Sequence, residues 1–188
     1  MADFNTAYKK LVPIEGGYVN NPLDRGKETY KGISRHFHPN WAGWNVINAL
    51  RREPGFPRNL NNHPQLQEMV LSFFKIEFWN KFSADKIISQ AVADELFDTA
   101  VNMNYTVAIK FAQSALNLLN KNGKLYADIL VDGVMGFNTI TAINNFSDTP
   151  HLLRALNALQ GARYISICEN NPTQEEFFRG WLTRAVVQ

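Results

Sequence analysis

Apolar residues recur at helical spacing along almost the whole chain, and no convincing run alternates as a strand would. Phe4, Tyr8, Leu11 and Val12 predict a first amphipathic helix that ends among residues 13–17. Residues 15–40 are rich in Gly, Pro, Asn and Asp and read as a long ordered loop or a short hairpin. A short helix over 42–52 and a breaker-rich stretch over 53–62 follow. Pro64 then stands as the first-turn proline of a helix over 65–82, whose Phe73, Phe74, Ile76, Phe78 and Trp79 imply burial on more than one side. Further helices are predicted over 89–103, 106–120, 138–145 and 149–168, with a last one after Asn171-Pro172-Thr173. That is roughly eight helices, so the expected class is all-α.

Composition narrows this picture. The 188 residues, 45% of them apolar and 19% charged, are enough for a real core, which excludes disorder and a disulfide-built miniprotein. Cys168 is the single cysteine, so no internal disulfide forms. The first ten residues lack a basic patch ahead of an apolar stretch, and no segment approaches the length of a membrane span. The expectation is therefore a chain made in a cytoplasm without a signal peptide or membrane insertion. The net charge of +2 hides an asymmetry, because residues 1–60 carry a local +4. Such a basic third favours an anionic polymer, although a solvated surface accounts for it equally well and a nucleic-acid partner is not expected.

Loops longer than about 12–15 residues in a compact domain are usually functional, which directs attention to 15–34. Glu15 falls where the first helix stops, beside Gly16-Gly17. The negative pole of the helix and partial burial both disfavour its ionised form, and a raised carboxyl pKa suits a general acid. Asp24, nine residues on in a polar turn, stays ionised. Two carboxyls with separated pKa values are the working pair of glycoside hydrolysis. A helix-end carboxylate and a turn aspartate explain the same spacing.

The segment closely resembles the signature of the glycoside hydrolase family 108 N-acetylmuramidases, a lysozyme-like family of phage lysins and secretion-associated muramidases. The matching positions are Glu15, Gly16, Gly17, Tyr18, Asn21, Pro22, Asp24, Gly26, Thr29, Gly32, Ile33 and Ser34. Lys27 departs from the pattern, which usually has a second glycine there. The resemblance implies a lysozyme-like fold that cleaves the β-1,4 bond between N-acetylmuramic acid and N-acetylglucosamine in peptidoglycan. Glu15 would be the catalytic acid, with Asp24 and Thr29 beside it. The Thr29 hydroxyl either positions a water or bonds local backbone. Tyr18 and Arg25 are candidate substrate contacts. Trp41 and Trp44 offer indole faces for sugar rings, and core packing is the alternative use of at least one of them. Asp98 and Asn102, on a helix that resembles one backing the family's cleft, are candidates to orient neighbouring groups, while a solvated stripe is the alternative.

No metal or organic cofactor is implied, and His36, His38 and His63 lack the spacing of a metal site. Residues 111–143, with Asp132-Gly133, Gly136 and Thr139, resemble a small helical peptidoglycan-binding domain. Asp132 would then either touch sugar or staple the helices. The expected division is a catalytic domain over 1–105 and a wall-binding domain over 106–188. An enzyme of this kind acts in the periplasm or on the wall after release, with a holin or a secretion system as the route.

Overall fold

The computed structural model describes residues 1–11, 17–20 and 28–185. Among them are eight α-helices and one three-stranded antiparallel sheet. The chain packs as two units: Asn5–Glu77, and a larger one that joins Met1–Phe4 to Phe78 onward.

The smaller unit holds α1 (Phe4–Leu11, after its first residue), β1 (Tyr18–Asn20), β2 (Glu28–Tyr30), β3 (Ile33–Ser34), α2 (Gly43–Leu50) and α3 (Pro64–Glu77). Pro64 is indeed the first residue of α3. The short hairpin that was one of two readings of 15–40 is present and gains a third strand. Its strands of three, three and two residues are too short to show alternation in sequence. Lys31 at φ 45° and Gly32 at φ 77° form the tight turn between Tyr30 and Ile33, since both positions of such a hairpin turn need positive φ. Lys31 tolerates this because its amide donates to the Gly17 carbonyl (3.3 Å) and its Nζ donates to Gln67 Oε1 (2.6 Å). Tyr30, Ile33, Trp44, Ile47, Leu60, Leu66, Val70 and Phe74 are buried.

The larger unit holds α4 (Gln90–Met103), α5 (Tyr105–Leu119), α6 (Phe137–Asn145), α7 (Thr149–Asn170) and α8 (Glu175–Leu182). The helix expected over 65–82 stops at Glu77. Phe78 leaves helical geometry at φ −125°, and a 3₁₀ turn over Trp79–Phe82 replaces the last helical turn. Buried aromatic packing occupies this turn. Trp79 stands edge-on to Phe4 (5.6 Å between centroids), Phe82 and Phe97. Asn104 ends α4 and also caps α5, its side chain accepting from the Thr106 amide at 2.8 Å. Ala108, Ala112 and Ala115 make a column of small buried residues on α5, which allows close helix packing. Along α7 the buried positions recur every four residues from Leu152 to Cys168, and α8 adds Trp181 stacked on Tyr164 at 5.1 Å.

Candidate functional site

In the smaller unit the antiparallel register puts Tyr18 opposite Tyr30 and Asn20 opposite Glu28. Paired residues share a face, so Tyr18, Asn20, Glu28 and Tyr30 lie on one side of the sheet and Val19 and Thr29 on the other. Glu28 is 9% exposed, a rare state for a carboxylate unless it is paired. It is paired twice. Its Oε2 meets Arg35 Nη1 at 2.8 Å, and its Oε1 meets Arg51 Nη2 and accepts from the Tyr18 hydroxyl at 3.1 Å. Arg51 also donates to the Tyr18 oxygen (2.8 Å), and Arg35 reaches Asn48 on α2 (3.0 Å). Burial first, and the Glu28 charge second, push the Tyr18 phenol up from its ordinary pKa. Sequence reasoning did not find Glu28, Arg35 or Arg51. The available signal was a glutamate two residues before a tyrosine inside the glycine-rich segment, an inward-facing pair once the strand is known.

This network matters because of what it brackets. The Asn20–Glu28 pair closes the ladder at both ends of residues 21–27. Glu28 ties that point to α2 through Arg35 and to the residue just after α2 through Arg51. Gly17 is likewise held by Lys31. Glu15, Asp24 and Arg25 lie outside the described residues, and their flanking positions on the sheet are the ones so braced. Thr29 is half-buried in the middle of β2, opposite Val19 and Ser34.

The two tryptophans separate. Trp44 is 2% exposed, donates from Nε1 to the His38 carbonyl (2.8 Å) and carries the Arg35 guanidinium on its ring, so it packs in the core. Trp41 is half-exposed and stands edge-on to Trp44 and Phe73. Its indole lies against Gly43, where a β-carbon would overlap the ring. With Met69, Phe73 and Ile76 it lines an open cleft of ≈ 390 Å³, rimmed by Gln65 and Glu68.

The remaining predicted residues belong to the larger unit. Asp98 bonds Arg184 Nη1 (3.1 Å) and Gln160 Nε2 (3.3 Å), so it holds helices together instead of lying on a solvated stripe. Asn102 is exposed and donates back to the Asp98 carbonyl at 2.8 Å. Asp132 accepts from Gln113 Nε2 and from the Val134 amide, each at 2.8 Å, and these bonds hold its carboxyl below the ordinary range. Gln113 also accepts from the Gly133 amide and donates to Thr139, which makes it the hub of a staple. Gly133 sits at φ 77° with the place of a β-carbon only 2.6 Å from Thr106, so only glycine fits. Among the described residues no three His, Cys, Asp or Glu side chains gather as metal ligands would.

The family model for Glycosyl hydrolase 108 matches residues 8–103, and that for a Predicted Peptidoglycan domain matches 107–186. Among solved structures the chain is similar to that of Brucella abortus SagA, at 20% identity and a TM-score of 0.62. The match covers 97% of this chain and 88% of that one. No match was found among curated proteins. With half of its length matched to the catalytic family and the braced sheet inside that half, the chain belongs to glycosyl hydrolase family 108 and is a glycoside hydrolase acting on peptidoglycan.

Proposed function

We propose that the enzyme cuts the β-1,4 bond between N-acetylmuramic acid and N-acetylglucosamine, with Glu15 as the general acid. The observation that carries this reading is the Glu15 to Ser34 signature, threaded from α1 into a sheet whose Glu28 network pins the flanks of the carboxyl-bearing segments. A protonated Glu15 donates to the leaving glycosidic oxygen as the bond to the anomeric carbon breaks. Asp24, ionised, stabilises the positive charge that develops there or activates the incoming water. Thr29 hydrogen-bonds beside them, and Tyr18 and Arg25 contact the substrate. Trp41, held by Gly43 over an open cleft, is the indole that offers a face to a sugar ring. Residues 1–105 carry the catalysis and 106–188 the wall binding. Among the described residues no helix is long and apolar enough to cross a membrane, which fits delivery to the wall by a holin or a secretion system.

Replacing Glu15 tests this directly. Glu15→Gln is expected to slow clearing of a cell-wall suspension by roughly 10²–10⁴-fold, the usual worth of a positioned acid. Mass spectrometry of the native digest should show N-acetylmuramic acid at the new reducing ends. Clearing at the native rate by the variant would remove Glu15 from its role, and a native protein that clears nothing would leave a wall-binding protein as the reading. Cleavage of chitin oligomers without muropeptide release would make the substrate a different glucosamine polymer.

A further inference from the structure

The half of the chain matched as a peptidoglycan domain has a face that the Gln113 staple does not use. An open groove of ≈ 1040 Å³ runs between the end of α5, the 121–129 loop and α6. One wall is a face of α6, where Asn138, Thr141 and Asn145 fall at i, i+3 and i+7, and Ser147 extends the row. Among the described residues none of these four side chains has a hydrogen-bond partner. The contrast with the next residue along is sharp. Asn144 accepts from the Ile88 amide (2.8 Å) and donates to the Lys86 carbonyl (2.9 Å), fastening α6 to the unit. Helix attachment is thus the work of Asn144, and Asn145 is left facing the groove.

The other wall is apolar. Leu118 and Leu125 are 76% and 55% exposed, and the Tyr126 ring is held in place by its hydroxyl, which donates to the Leu116 carbonyl at 2.7 Å. Charges along the groove are few. Asp128 accepts from Asn120, Asp148 meets His151 at 2.8 Å, and Lys121 is, among the described residues, the one lysine or arginine in the lining. Such a surface has no excess of positive charge to select an anionic stem peptide. A row of amides and hydroxyls facing aliphatic and aromatic surface instead suits a neutral N-acetylated sugar. Its acetamido N–H and C=O pair with asparagine, its hydroxyls with Thr141 and Ser147, and its methyl and C–H faces with Leu118, Leu125 and Tyr126. The row spans about 10 Å of helix axis, room for two linked pyranose rings.

We propose that this groove is a glycan-strand site that holds N-acetylhexosamine units of peptidoglycan apart from the catalytic step. The proposal rests on peptidoglycan being the substrate and is independent of the role of Glu15.

The test is a titration of the ¹⁵N-labelled full chain with chitotetraose, a neutral N-acetylglucosamine oligomer, followed by amide chemical shifts. Saturable shifts are expected in α6 and residues 118–129. Asn138→Ala/Asn145→Ala, with both positions exposed and the spectrum reporting the intact fold, should weaken that saturation about tenfold, two hydrogen-bonding side chains being lost. Absence of shifts in these amides overturns the proposal, as does unchanged affinity in the double variant. Saturation of the same amides by a stem tetrapeptide in place of the sugar also overturns it. Muropeptide release by native protein and Glu15→Gln is read separately. Groove shifts together with an active Glu15→Gln would fail the role of Glu15 alone, and an inactive Glu15→Gln with a silent groove would fail the glycan site alone.

Discussion

Glu28 in the smaller unit and Glu95 on α4 in the larger one are both carboxylates withdrawn from water, yet they meet opposite surroundings. Glu28 is held by two guanidiniums and a phenol. Glu95 stands one turn before Asp98, and the nearby cation, Arg184, is taken by Asp98. Burial, and then the Asp98 charge, push Glu95 up to about 7. Burial raises Asp98 as well, although Arg184 opposes it. Around the pair, Glu95 Oε1, Asn157 Oδ1, Gln160 Oε1 and the Tyr164 hydroxyl are buried without hydrogen-bond partners. A protonated Glu95 adds a second O–H donor, beside the Tyr164 hydroxyl, to this oxygen-rich cluster. The difference teaches that burial shows its full effect on an acid, as at Glu95, where no counter-charge is paired with it.

The largest effect should come from breaking the compensated cluster. Glu28→Ala leaves two arginines without their acid and is expected to cost about 3 kcal/mol, the low end for a buried pair because both guanidiniums reach water. Urea unfolding would measure it. A loss under about 0.5 kcal/mol would mean that the network holds nothing together.

Next is the uncompensated cluster, read through pH. Because folding raises Glu95 from 4.5 to about 7, the folded state binds the extra proton between those values. Its stabilising contribution is therefore full below pH 4.5 and lost as pH rises through 7. That shift corresponds to about 3 kcal/mol at most, and about 2 kcal/mol is expected once residual hydration is allowed for. Glu95→Gln keeps a neutral amide in place at every pH. It should flatten the profile between pH 5 and 8 and make the protein more stable than native at pH 8. An unchanged profile would assign the pH dependence elsewhere.

The smallest effect sharpens the contrast by its absence. Asn102 shares the α4 face with Asp98 but is exposed and bonds only its own helix turn. Asn102→Ala should change stability by less than about 0.5 kcal/mol. A larger loss would make it part of the helix packing, and a drop in wall clearing with stability intact would make it an active-site residue.

What sequence could and could not reveal follows the same physics. The helices were legible because their signals are local: Pro64 opening α3, Asn104 between α4 and α5, and Asp148, whose side chain accepts from the His151 amide ahead of Pro150 in α7. The sheet was legible only as one of two readings, a loop or a short hairpin, since its strands are held by register and by the Lys31-Gly32 turn with no periodicity of their own. The Glu28 network was hidden for a related reason, its partners lying 10 positions before and 7 and 23 after it. For Asp98 the orienting role and the solvated stripe both stayed open, because Arg184, 86 residues away, is invisible to helical spacing. The family signature was readable without any of this, as its residues fall within one 20-residue segment, and it is the basis of the role proposed for Glu15 where spacing alone was ambiguous.

Phe4 offers a last consequence. It packs edge-on to Trp79 and Phe97, and the Ala2 amide donates to the Ile87 carbonyl at 2.7 Å, so the first residues complete a core whose other parts come much later in the chain. During synthesis at about 5–20 residues per second, Phe4 waits on the order of ten seconds before Phe97 exists. Everything needed for the Asn5–Glu77 unit after its first helix is made within that interval. The order of translation thus favours closure of the sheet-bearing unit first, with the long helices sealing over the chain's opening residues afterwards.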